Sequence, residues 1–122
     1  MSNQTQTATL SGGYRIEMLS GSNWLPWKRR MLAIMRDSDL EMYIKEGAER
    51  PKTTATTDTT AKDAELAAQK AWDIGDSKAR TRIELSVGDS EMVHLTGAET
   101  AREMWEQLIQ VKEARGRSGI LA

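Results

Sequence analysis

The segment Thr100-Ala101-Arg102-Glu103-Met104-Trp105-Glu106-Gln107-Leu108-Ile109 constrains the fold more than any other stretch of the chain. Thr100 and Glu103 form a capping box, in which each side chain satisfies a backbone N–H orphaned at a helix start. Behind it Ala101, Met104, Trp105, Leu108 and Ile109 recur at i, i+3, i+4, i+7 and i+8, which is one apolar face of an α-helix. Arg102, Glu103, Glu106, Gln107 and Gln110 fall on the other side. A helix so clearly two-faced must dock on something, and the other tryptophans, Trp24, Trp27 and Trp72, are the natural surface. The expectation is a small all-α domain, an orthogonal bundle of about five helices held together by Trp24, Trp27, Trp72 and Trp105.

At 122 residues the chain is long enough for one domain and too short for two ordinary ones. Phe and Cys are both absent. Trp and Met must supply the bulky core volume, and disulfides, zinc knuckles and thiol catalysis are excluded for these residues. No apolar run is long enough to span a bilayer, and no secretory leader is recognisable. Together with the lack of Cys this points to the cytoplasm. The formal net charge of −1 gives no global field that would draw the domain onto nucleic acid or an anionic membrane.

Residues 1–13 are polar, with only Leu10 bulky, and read as a disordered tail that leaves 14–122 as the helical domain. Tyr14 to Leu19 alternates and suits an extended segment lying across the helices, but a lone strand has no partner, so no sheet is expected. Asn23 is a good N-cap for a helix over 24–36, with Pro26 in its first turn and Trp24, Trp27, Met31, Ile34 and Met35 as its buried stripe. Ser38 and Glu41 form a second capping box, predicting a short helix over 38–46 ended by Gly47. The Thr-rich stretch 48–60 is the longest loop.

Thr60 with Asp63 starts the longest helix, over 61–87. Ala61, Ala64, Ala68, Ala71, Trp72, Gly75, Ala79 and Ile83 share one side, so a neighbour can approach closely around Trp72. Leu66, Ile74 and Leu85 lie on a second side. Gly75 costs about 1 kcal/mol against Ala in a helix interior, tolerable where another element packs close. Gly88-Asp89 breaks the helix and starts a short one over 89–95. The last helix spans 100–115 and stops at Gly116. Lys112 lies on its apolar face, so either packing ends near Val111 or the Lys stem snorkels. Ile120 and Leu121 have no evident partner within the chain, as if it stopped ahead of its next element.

Few residues suggest chemistry. His94, beside apolar residues and without Cys or a second His, reads as a partly buried structural histidine rather than a ligand or base. Of Asp37, Asp39 and Glu41, the capping box explains Glu41, and solvated charges at a helix start explain the other two. Gly116-Arg117-Ser118-Gly119 lacks the Lys and following helix of a phosphate loop. Lys28-Arg29-Arg30 and the set Lys78, Arg80 and Arg82 could each touch phosphate, but Glu and Asp interspersed along the same helices favour a solvated, salt-laced face. Each Trp lies on the apolar stripe of its own helix, which favours core over a ligand cage or base-stacking platform. The residues call for no catalytic site, no metal or other cofactor and no small-molecule substrate.

Taken together, the residues resemble the Gag protein of copia-type LTR retrotransposons, in the N-terminal part of its capsid region. The likeness begins at Leu19-Ser20-Gly21-Ser22-Asn23-Trp24, with Trp27, Lys28 and Met31 following. It resumes after the Thr-rich loop with Trp72, Asp76, Ala79, Ile83, Leu85 and Val87. It closes with Thr100-Ala101-Arg102-Glu103-Met104-Trp105-Glu106-Gln107-Leu108. The order of an L-x-G-x-N-aromatic-x-x-W start, a central W-x3-D-x2-A-x3-I segment and a T-A-x-E-x-W-x-x-L end carries it, over roughly residues 19–121. The resemblance implies a structural, non-enzymatic capsid domain that self-associates weakly into a homo-oligomeric particle shell, with the element's RNA held by the full-length Gag and no membrane partner. Surfaces left over for self-association are Leu66, Ile74, Leu85, Ile120 and Leu121. The alternative is a monomeric helical adaptor derived from Gag that binds a protein partner.

Overall fold

The computed structural model describes residues 6–54 and 57–121, with side chains up to residue 114. Its frame is mostly helical. Among the described residues there are three α-helices: α1 (Trp24–Asp37), α2 (Thr59–Leu85) and α3 (Ala101–Leu121). Two short 3₁₀ segments, Glu41–Tyr43 and Asp89–Leu95, connect them, and a two-stranded antiparallel hairpin of β1 (Thr7–Thr9) and β2 (Arg15–Glu17) precedes them. The core gathers Leu19, Trp27, Met31, Met35, Ile44, Ile83, Val87 and Leu108.

The hairpin corrects the all-α expectation. The extended segment after Tyr14 does have a partner, which lies inside the stretch expected to be a disordered tail. Thr7, Ala8 and Thr9 pair with Glu17, Ile16 and Arg15. Gly12 and Gly13 both take positive φ in the connecting turn, where Leu10 N–H donates to the Tyr14 carbonyl. A Gly-Gly pair between two short alternating runs is itself a hairpin signal. Leu10 and Ile16 are buried against the helices, which is why this small hairpin persists. Arg82 fastens it further, donating to the Ser11 carbonyl and lying over the Tyr14 ring. The first five residues of the expected tail lie outside the described residues.

The helix expected over 38–46 is reduced to the 3₁₀ turn Glu41–Tyr43, because the end of α1 claims its capping residues. Leu40 N–H donates to the Met35 carbonyl and Asp39 N–H to the Arg36 carbonyl, with Asp39 left-handed at φ 59°. This is a Schellman closure, with Leu40 and Met35 both buried as its apolar contact. Ser38 Oγ donates back to the Ile34 carbonyl and so is spent on α1 rather than on a capping box. Asn23 precedes α1 but makes no cap with its side chain. Its Oδ1 accepts from Ser20 N–H and its Nδ2 donates to the Met18 carbonyl, clasping the Ser20–Ser22 turn. The cap of α2 is Asp58, which accepts from Thr60 and Ala61 N–H, so the helix starts two residues before the expected 61. At the other end α3 passes through Gly116 and continues to Leu121.

α2 divides into two halves. From Gly75 onward its inner face is buried through Asp76, Ala79 and Ile83. Before that, Ala64, Ala68 and Ala71 are exposed, so the small-residue side expected to receive a neighbouring helix receives none over those turns. The loop after Gly47 runs beside this half instead. Arg50 pairs with Asp73 at 2.9 Å, the Pro51 carbonyl accepts from Gln69, and Thr54 donates to Glu65. The Arg50 guanidinium holds the Asp73 carboxyl below its ordinary value.

Gly75 is where a close approach is needed, and what approaches is a ring rather than a helix. A Cβ at this position would overlap the hydroxyl and ring edge of Tyr43, which is pinned between Gly75 and Trp72. Replacing Gly75 with Ala should therefore destabilise the fold by about 1–3 kcal/mol, despite Ala's better helix propensity, because the buried ring must move. Urea unfolding of Gly75→Ala against the natural chain checks this. A stabilised variant would place Tyr43 elsewhere.

Candidate interaction surfaces around a tryptophan core

Three of the four tryptophans meet. Trp24 and Trp27, one helical turn apart on α1, have ring centroids 5.8 Å apart, and Trp105 of α3 lies 5.9 Å from Trp27 and 6.4 Å from Trp24. Trp27 and Trp105 are buried and Trp24 half-buried. The outer edge of the trio is closed by Glu113, which accepts from Trp24 Nε1 at 3.2 Å and pairs with Lys28 at 2.6 Å, while the Lys28 ammonium lies over the Trp24 ring. With two rings fully packed, the trio offers no open cage for a cationic ligand or a base.

Trp72 departs from the expected set. It sits apart from the trio, half-buried, with its ring edge-on to Tyr43 at 5.6 Å. The reason is the position of Gly75. The 3₁₀ turn after α1 crosses α2 there, so Tyr43 rather than another Trp fills the space beside Trp72.

The remaining signature residues are interior. Met31, Ala79, Ile83, Ala101 and Leu108 are fully buried. The capping box forms as its spacing requires: Glu103 N–H donates to Thr100 Oγ1 at 3.1 Å, and Thr100 N–H donates to Glu103 Oε1 at 3.2 Å. A second cap reaches it from α2. The buried Asp76 carboxylate accepts from Ala101 N–H at 2.9 Å and from Arg80 Nε at 2.9 Å. Asp76 thus places a negative charge at the positive end of α3. Sequence reasoning noted Asp76 only as part of the resemblance. Its apolar neighbours at i−4, i+3 and i+7 are the signal that it faces inward.

Lys112 neither snorkels nor marks the end of packing. It pairs with Glu91 of the second 3₁₀ segment at 2.5 Å, and both side chains are almost wholly buried. His94 is part-buried, with Nε2 3.8 Å from the same carboxylate. No group of three or more His, Cys, Asp or Glu able to hold a metal occurs among the described residues. No helix among them is long and apolar enough to cross a membrane.

The second-side residues of α2 are surface residues. Leu66 and Ile74 are each 50% exposed and Leu85 56%. Ile120 and Leu121 lie beyond the described side chains, so their part in any surface is outside the described residues. A groove between the hairpin and α2 runs past Thr9, Leu10, Lys78, Thr81 and Leu85. Of the second basic set, Arg80 is engaged with Asp76 and Arg82 with the hairpin. Lys78 and Arg82 both line that groove, and Arg82 is already committed to the hairpin.

No protein-family model, curated protein or solved structure matches the chain.

Trp105→Ala should cost about 3–5 kcal/mol, enough to unfold a domain of this size, whereas Trp72→Ala should cost roughly 1–2 kcal/mol because its ring is only partly buried, at the margin of the core. Equal losses in urea unfolding would mean that Trp72 is as much a core residue as Trp105. Asp76→Ala should cost about 1–3 kcal/mol, since it orphans the Ala101 N–H and the Arg80 guanidinium. A melting curve unchanged from the natural chain would show that the capping box alone suffices.

Proposed function

We propose that this chain is a structural domain resembling the N-terminal part of a copia-type Gag capsid region, which self-associates weakly in the cytoplasm to build a particle shell and carries out no catalysis. One observation supports the reading above the others: most of the residues that carry the resemblance hold the fold together, with Leu85 on the surface and Trp72 half-buried as exceptions. Leu19, Trp27, Met31, Asp76, Ala79, Ile83, Val87, Ala101, Trp105 and Leu108 are all interior, and Thr100 with Glu103 caps α3. The Thr-rich stretch 48–60 ahead of the second matching block, by contrast, has no buried residue among those described. A pattern that lives in the core and caps is that of a scaffold, not of a cleft. Any RNA would be held by the full-length Gag.

Self-association fits the exposed stripe Leu66, Ile74 and Leu85 on α2. Three separated side chains bury too little for a tight dimer, so the affinity is micromolar or weaker, and a lattice works with such contacts because many act together. The groove past Thr9, Lys78 and Leu85 favours the second reading, a monomeric adaptor that takes a protein segment there. Analytical ultracentrifugation from low micromolar to near-millimolar protein decides between them. The expected outcome is a sedimentation coefficient that rises with concentration, and rises less steeply in Leu66→Lys/Ile74→Lys. A strictly monomeric natural chain would reject the shell reading in favour of the adaptor.

A further inference from the structure

The outer face of α1 carries a ridge that the α2 stripe does not use, its half-buried Leu32 resting partly on the core. Leu25 stands 71% exposed in the first turn. Lys28, Arg29, Leu32 and Arg36 follow it at i+3, i+4, i+7 and i+11 and line one shallow depression with it. The carboxylates expected to be interspersed along this helix are absent before Asp37: from Trp24 to Arg36 there are four cations and no acid. Lys28 is held by Glu113 and Arg36 by Glu41, whereas Arg29 makes no ion pair among the described residues. Leucines set between cations match a surface where apolar groups sit beside carboxylates. A nucleic-acid backbone would engage Arg29 but leave Leu25 in water.

The chain itself holds such a surface. From Ile83 to Glu106 it has six acids against one arginine and no lysine. Within that span the 3₁₀ segment Asp89–Leu95 turns Val93 outward at 66% exposure, together with Met92. Asp89 is exposed and makes no ion pair among the described residues. At three residues per turn, Asp89 and Met92 stack on one edge of the segment, with Val93 beside them.

We propose that the Leu25, Arg29 and Leu32 ridge of one copy docks on the Asp89, Met92 and Val93 patch of a second copy, head to tail. The proposal rests on the self-association reading and names a contact distinct from the α2 stripe. Because the two patches differ, each joined pair keeps one free ridge and one free patch, so growth continues past the dimer, as a shell domain requires. From Leu25 to Leu32 the ridge is only about 10 Å long, which keeps the contact weak. Its charged component makes association fall as salt rises.

A charge-swap experiment in the ultracentrifuge tests this. Arg29→Glu and Asp89→Lys are both on exposed side chains, and circular dichroism melting should confirm that each variant folds. Each alone should associate at least about tenfold more weakly than the natural chain, because like charges then face each other. An equimolar mixture of the two, or the double variant, should recover association beyond the dimer, since the opposite pairing is restored. Recovery on mixing cannot come from a merely structural role. Failure to recover, growth that stops at the dimer, or natural-like association by both single variants would each overturn the contact. If Leu66→Lys/Ile74→Lys abolishes association while Arg29→Glu does not, this contact fails and the shell reading stands. A monomeric natural chain removes both. Binding of a single-stranded RNA oligonucleotide that is lost in Arg29→Glu, with association unchanged, would reassign the ridge to RNA.

Discussion

The carbonyl of Ser86, at the end of α2, is the point on which the rest of the fold hangs. The last carbonyls of a helix have no partner within it and must find one elsewhere. Ser86 finds two: the indole Nε1 of Trp27 at 3.0 Å and the backbone N–H of Leu19 at 2.8 Å. Gly88 N–H returns a bond to the Leu19 carbonyl, completing a parallel bridge between Leu19 and Val87. A Cβ at Gly88 would come within 2.9 Å of that carbonyl, so the residue after the bridge has to be small. One junction therefore fixes the rotation of α1 through Trp27, the entry of the chain through Leu19 and the exit from α2. Trp105 then packs on a ring whose position is already set.

Asp76 is the counterpart of this junction one helix-half earlier. It ties the start of α3 to the middle of α2, while Lys112 ties the far part of α3 to Glu91. Both are ionised groups taken out of water, which is tolerable only because each meets an opposite charge or a backbone donor within hydrogen-bond range. These ties secure the start and the far part of α3, Glu113 adds another with Trp24 and Lys28, and Met104, Trp105 and Leu108 pack in the space between.

The parts of the fold legible in the sequence were those where local chemistry and apolar periodicity agree. The capping box at Thr100, the stripe of α1 and the two long helices are of this kind. What escaped depended on contacts between distant residues. The hairpin needed Leu10 and Ile16 to find the helices, even though Gly12-Gly13 announced the turn. The Ser38 box lost to a Schellman closure that uses the same residues, a competition that spacing alone cannot settle. Trp72 lies on the apolar stripe like the others, yet Tyr43 reaches it first because only Gly75 leaves room. Lys112 on an apolar face was puzzling until Glu91 supplied its counter-charge. The surfaces considered for association were the least legible, since exposure follows from where every other element packs.

The unequal halves of α2 have a dynamic consequence. Its first four turns touch the body chiefly through hydrogen bonds and ion pairs of the loop residues Arg50, Pro51 and Thr54, most of them solvent-exposed. Such a segment opens locally at far lower free energy than the buried half beyond Gly75, so the helix frays from its N-terminus while its other end stays fixed. Leu66 rides on the fraying part and Leu85 on the fixed part. A partner that grips both must first still the loose turns, and the ordering entropy subtracts from the binding it gains. Helix order and contact at Leu66 are thus thermodynamically linked, each raising the population of the other.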